Sequence, residues 1–204
     1  THLFLLSGQS NMNNMEYTNN FLPMVEAAFP KDEIIIVKVS VGGVPIARWV
    51  PAEQGKLYQQ LIAKTQKELA GKTPDSITFI WMQGERDHQQ DDTCEAYEKN
   101  LRTLYDQLKH DLKTDKINWV IGRLSDTASR MDPAYAKHKN WMEIRAIQER
   151  VAGSIDRAVW VDRDKTNDPD NGVHNSPEGY KLQETLFAEA AIELIRRFDL
   201  PASH

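Results

Sequence analysis

An apolar run near the amino end stops at two serines, a glutamine and an asparagine: Leu5-Leu6-Ser7-Gly8-Gln9-Ser10-Asn11-Met12. A serine hydroxyl at the end of a buried strand becomes a nucleophile when an imidazole takes its proton and N–H donors hold the resulting oxyanion. A candidate imidazole lies far along the chain, His174 in Gly172-Val173-His174-Asn175-Ser176-Pro177-Glu178-Gly179-Tyr180. The residues after it read as a helix start, with Ser176 as N-cap, Pro177 at the first helical position and the small Gly179 at the third. That arrangement would fix the histidine on a short loop against a rigid helix. Two more polar clusters could complete such a site. One is Gly42-Gly43, followed by Arg48 and Trp49; the other is Trp81-Met82-Gln83-Gly84-Glu85-Arg86-Asp87. Backbone donors at glycine suit an oxyanion because no Cβ blocks the carbonyl. Each residue also has a plainer role open to it: Ser10 as a helix cap, His174 as a loop residue, Gly42-Gly43 as a turn, Gln83 as a loop tie.

Residues this far apart meet only if the fold brings them together. Five apolar, β-branched runs read as strands buried on both faces: residues 2–6, 33–41, 76–82, 117–124 and 158–162. Helical periodicity lies between them. It appears at Leu57, Leu61, Ile62 and Leu69, at Tyr97, Leu101, Leu104, Tyr105 and Leu108, and at Trp141, Ile144, Ile147 and Val151. A last helix is expected over 177–198. Strands alternating with helices predict an α/β protein, a flavodoxin-like three-layer α/β/α sandwich on about five mostly parallel strands, in one catalytic domain spanning 1–204. In such sheets ligands bind outside the carboxyl ends of the strands. The four clusters follow the first, second, third and fifth runs, where that rule puts a site.

The set Gly8-Gln9-Ser10-Asn11-Met12, Gly42-Gly43 with Ile46 and Trp49, Trp81 with Gln83-Gly84-Glu85 and Asp87, and Gly172-Val173-His174 with Ser176-Pro177-Glu178-Gly179-Tyr180 resembles the SGNH hydrolase superfamily. More narrowly it resembles the sialate O-acetylesterase-like and acetyl xylan esterase branch, carbohydrate esterase family six. The resemblance spans nearly the whole chain. It selects Ser10 over Ser7 as nucleophile and makes His174 the base. It implies an oxyanion hole from the N–H of Ser10, an N–H from Gly42 or Gly43, and the amide of Gln83, which stands where the superfamily carries Asn. Relatives place an Asp three residues before the histidine. Here that position is Asn171, and Asp170 lies one residue earlier, so the third member of the triad stays open. Asp170 is preferred; Glu85 is an alternative carboxylate; Asn171 can orient the ring but cannot stabilise an imidazolium as a carboxylate does. A Ser-His dyad oriented by a backbone carbonyl is the remaining possibility.

The implied activity is hydrolysis of O-acetyl groups on a carbohydrate, acetyl xylan or O-acetyl sialic acid in type, without metal or organic cofactor. A lipase or thioesterase of the same superfamily, and a carbohydrate-binding relative without catalysis, are the rivals. Arg48 and Trp49 are candidate substrate contacts, with core packing the plainer role for Trp49. The plainer role for Glu85 and Asp87 is to tie their loop to Arg48 or Arg86. The segment 125–140 is expected to line or cover the site. The resemblance suggests a secreted or periplasmic setting, and Thr1, directly before the first apolar run, suggests processing upstream.

The 204 residues carry a net charge of −5, against the basic face of a nucleic-acid binder, and no apolar stretch approaches a bilayer span. One cysteine, Cys94, excludes an internal disulfide and a thiolate metal site. Residues 85–92, rich in Asp and His, match no known coordination spacing and read as a polar loop. There is no phosphate-binding glycine motif and no Gly-x-Ser-x-Gly elbow. The histidines other than His174 lie in charged or terminal surroundings and read as surface residues.

Overall fold

Five parallel strands make one sheet: β1 (His2–Gly8), β2 (Ile34–Ser40), β3 (Ser76–Met82), β4 (Ile117–Gly122) and β5 (Ala158–Val161), in the order β2-β1-β3-β4-β5. The computed structural model of the chain describes residues 1–129, 138–170 and 172–200, with Ala128, Ser129 and His138 described by backbone alone. The inner strands β1, β3 and β4 are buried at every residue, as their unbroken apolar runs require. The outer two differ from expectation. β2 alternates, burying Ile35, Val37 and Val39, and β5 fully buries only Val161. Among the described residues each has a strand neighbour on one side alone.

The helices are α1 (Ser10–Asn13), α2 (Phe21–Ala28), α3 (Lys56–Leu69), α4 (Asp91–Asp111), α5 (His138–Gly153) and α6 (Pro177–Phe198). Alternate residues of the strands feed opposite layers. On one face Tyr105 of α4 stacks on Trp119, with centroids 4.8 Å apart and planes 4° from parallel. Tyr97, also of α4, lies against Trp81. On the other face Phe4 meets Phe21 of α2 edge-on, and Gly122 abuts Phe187 of α6. Among the described residues no helix is long and apolar enough to cross a membrane.

Helix α2 carries no cap of its own. Its first N–H groups are met from α6: the buried Glu184 carboxylate accepts from Asn20 N–H at 2.7 Å and Phe21 N–H at 3.2 Å. Helix α6 starts as expected, with Ser176 Oγ accepting from Gly179 N–H at 2.9 Å and Pro177 in the first turn. A Cβ on Gly179 would lie 1.7 Å from the Thr166 carbonyl oxygen, so only glycine lets α6 sit this close to the loop after β5.

Candidate active site

The loops after β1, β2, β3 and β5 converge at the carboxyl edge of the sheet. β1 ends at Gly8, with φ +147° and with no room for a Cβ, which would meet the Met82 carbonyl oxygen at 1.9 Å. The same carbonyl accepts from Gln9 N–H at 2.9 Å, so the ends of β1 and β3 are pinned together. The chain then turns into α1, and Ser10 is the first residue of that turn. His174 reaches it across 164 residues of chain, with Nε2 3.1 Å from Ser10 Oγ. Both side chains are half-buried. A neutral ring nitrogen at that distance accepts a hydroxyl proton.

The residues flanking Ser10 grip the other loops. Gln9 Oε1 accepts from Arg86 N–H at 3.1 Å and from the Gln83 amide at 3.2 Å. Asn11 donates to the Val173 carbonyl at 2.9 Å and to Glu85 Oε1 at 2.8 Å, and accepts from Asn175 N–H at 3.1 Å. Behind Asn175 lies Arg163, 1% exposed, donating to Asn175 Oδ1 and to Gln183 Oε1, each at 2.8 Å. Burial pulls the Arg163 guanidinium down to about 10, with Glu85 acting against that. The sequence alone assigns no role to Gln9, Asn11, Arg163, Asn175 or Gln183. The signal for the first two was their place: an amide on either side of the candidate nucleophile.

Gly42 faces the serine, a Cβ on it lying 3.8 Å from Ser10 Cβ, whereas nothing lies within 4 Å of one on Gly43. Gln83 departs from expectation. It is fully buried, and its amide nitrogen faces Asp87 Oδ2 at 2.6 Å, the Val44 carbonyl at 3.1 Å and Gln9 Oε1 at 3.2 Å. Its two N–H hydrogens are committed to these acceptors, so here it ties loops together. Asp87 also accepts from Ile46 N–H at 3.0 Å, and burial pushes its carboxyl up to about 6. Glu85 and Asp87 therefore hold Asn11, Gln83 and Ile46, not Arg48 or Arg86.

Burial is also the main influence on Glu85, raising its carboxyl, with Arg163 opposing. Its Oε2 has no hydrogen-bond partner among the described residues. The preference for Asp170 is corrected: its carboxylate is exposed and makes no hydrogen bond or ion pair with His174. It sits in a turn closed by its own N–H donating to Asp168 Oδ1 at 2.8 Å, which leaves the side chain in solvent. Asn171 lies outside the described residues, as do residues 130–137 of the segment expected to cover the site.

Trp49 is corrected as a sugar contact. It is fully buried, edge-on to Trp81, with its indole N–H on Ser7 Oγ at 2.9 Å, so neither face is open to a ligand. Arg48 is exposed and pairs with no carboxylate among the described residues. Two histidines expected at the surface are buried: His2 meets Ser76 Oγ at 2.7 Å, and His88 packs against Trp141 with Nδ1 on the Glu85 carbonyl.

A family model for carbohydrate esterases, sialic acid-specific acetylesterase, matches residues 13–193. The chain belongs to this family, whose members are ester hydrolases of the SGNH type. Comparison with curated proteins finds no match. Solved structures share the fold. A protein from Arabidopsis thaliana is 18% identical, with 97% of this chain and 98% of that one covered and a TM-score of 0.77. A carbohydrate acetylesterase from Xanthomonas citri is 14% identical over 97% of this chain and 56% of its own, with a TM-score of 0.71. A lipase/acylhydrolase from Enterococcus faecalis is 14% identical over 100% and 99%, with a TM-score of 0.55.

Proposed function

We propose that the protein is a serine esterase that removes O-acetyl groups from a carbohydrate through an acyl-enzyme. The observation that carries this is the 3.1 Å approach of His174 Nε2 to Ser10 Oγ at the carboxyl edge of a parallel sheet. Ser10 Oγ attacks the acetyl carbonyl carbon while His174 takes the hydroxyl proton. The bond to the sugar oxygen then breaks, and that oxygen leaves with the proton from His174. Water attacks the acyl-enzyme by the same route, releasing acetate and restoring the serine. The N–H groups of Ser10 and Gly42 are the proposed oxyanion donors. Ser10 N–H is in the first turn of α1, where helix N–H groups have no partner within the helix.

The acetyl and carbohydrate parts draw on the family and on the likeness to an acetylesterase. Arg48 is the proposed contact for an anionic sugar, because its guanidinium is exposed and unpaired among the described residues. Turnover of a nitrophenyl acetate is expected to fall by about a thousandfold or more in Ser10→Ala and in His174→Ala, with circular dichroism unchanged. Undiminished turnover in Ser10→Ala overturns the assignment. Acetate release from acetylated xylan and from O-acetyl sialic acid, measured side by side, separates the two substrate types. Arg48→Ala is expected to lower kcat/KM selectively on the anionic sugar.

A further inference from the structure

Asn11 directly follows the proposed nucleophile and is 1% exposed. A side-chain amide has two donor hydrogens and two acceptor lone pairs. All four are used here. Nδ2 donates to the Val173 carbonyl at 2.9 Å and to Glu85 Oε1 at 2.8 Å. Oδ1 accepts from Asn175 N–H at 3.1 Å and from the Tyr180 hydroxyl at 3.2 Å. Exchanging oxygen and nitrogen would turn Oδ1 toward the Val173 carbonyl, which cannot donate, and Nδ2 toward the Asn175 N–H, which cannot accept, so the backbone partners themselves fix the orientation.

The two main-chain groups belong to the residues on either side of His174. The amide thus holds the peptide before the imidazole and the peptide after it, while Glu85 and Tyr180 hold the amide. Its own backbone carbonyl is held too, accepting from Gln183 of α6 at 2.9 Å. One side chain, belonging to the nucleophile's own neighbour, thus ties both peptides that flank the base.

We propose that Asn11 is a positioning residue for His174, helping to hold the imidazole over Ser10 Oγ by clasping both flanking peptides. Glu85 then serves the site through Asn11 and has no need to touch the ring. The proposal rests on Ser10 and His174 being the catalytic pair. It adds that Asn11 contributes to turnover only by way of His174, since none of its four partners is an atom that reacts. A displacement of about 1 Å at a reacting group is enough to cost about a hundredfold in rate.

The test is a kinetic cycle on nitrophenyl acetate with the full chain: wild type, Asn11→Ala, His174→Ala and the double variant, each checked by thermal unfolding. Asn11→Ala alone is expected to lower kcat by about a hundredfold while KM stays within about twofold. In the His174→Ala background, followed at high enzyme concentration, the same substitution is expected to change the residual rate by less than about twofold, because groups that act as a unit are not additive. A kcat for Asn11→Ala within about twofold of wild type overturns the proposal. So does an equal loss in both backgrounds, which marks general loosening of the fold. If Asn11→Ala does not fold, Tyr180→Phe runs the same cycle, since it deletes one of the four bonds and no main-chain group. A loss in kcat that disappears without His174 supports the proposal, and no loss, or one that persists, overturns it. Failure of the underlying pair shows separately, as turnover surviving in Ser10→Ala or His174→Ala.

Discussion

Asp87 shows how a charged side chain can serve a site without reacting. Its carboxylate accepts from Ile46 N–H and the Gln83 amide, joining the glycine loop to the loop after β3, at 1% exposure. Burial raises its pKa from 3.8 to about 6. Between those values the folded chain holds a proton that the unfolded chain has released, so stability is lost as pH rises through that window. Asp87→Asn does not titrate. Relative to wild type it is expected to gain stability from pH 4 to pH 6, by up to about 3 kcal/mol, and to gain nothing further above pH 7. Urea unfolding of both proteins across that range checks this; a constant difference contradicts it. For Asp170 the expectation is the reverse of catalytic. Asp170→Asn should keep kcat within about twofold, because surface changes of this kind cost little. The meeting of Ser10 and His174 was legible because the proposed nucleophile and base need particular residue types beside glycine and proline turns. Asn11 was not, because an asparagine after a serine carries no chemistry until its four partners, three of them more than 160 positions away, are known.

Helix α2 marks the limit of local pattern. Eight residues with Pro23 in the first turn give little periodicity, and the chain supplies no capping side chain. The cap is Glu184, from a helix more than 160 residues away, and no window of sequence contains it. Glu184→Ala leaves two buried-end N–H groups unmet and is expected to cost about 2 kcal/mol in urea unfolding, with kcat on nitrophenyl acetate retained. Helix α6 was the opposite case. Ser176, Pro177 and Gly179 announce its start, and the structure adds why the third is glycine: its Cα faces the Thr166 carbonyl. Gly179→Ala must push the head of α6 and the His174 loop away from that carbonyl, so a loss in kcat with KM little changed is expected. The inner strands were legible as apolar runs without alternation. The edges were less so, because the apolar run at 33–41 does not reveal that a strand has only one neighbour.

The strand order reverses direction between β1 and β3, the place where an open parallel sheet leaves a crevice between diverging loops. That reversal explains how Ser10 and His174, from opposite ends of the chain, come within 3.1 Å, and on the proposed chemistry activity is a property of the entire fold. Four of the five tryptophans, Trp49, Trp81, Trp119 and Trp141, are buried, so fluorescence reports the core. In urea, the loss of esterase turnover and the tryptophan transition are expected at the same midpoint; turnover lost well before the transition would mean that the loops part before the core melts. At the mouth of the crevice, Gln9 and Asn11 tie the loops together, while the hydroxyl between them meets His174. On the proposed chemistry, an alanine at position 10 is therefore expected to leave an intact receptor that cannot cut its cargo. Soaked with candidate acetylated sugars, such an inert trap would reveal by crystallography which one it retains whole.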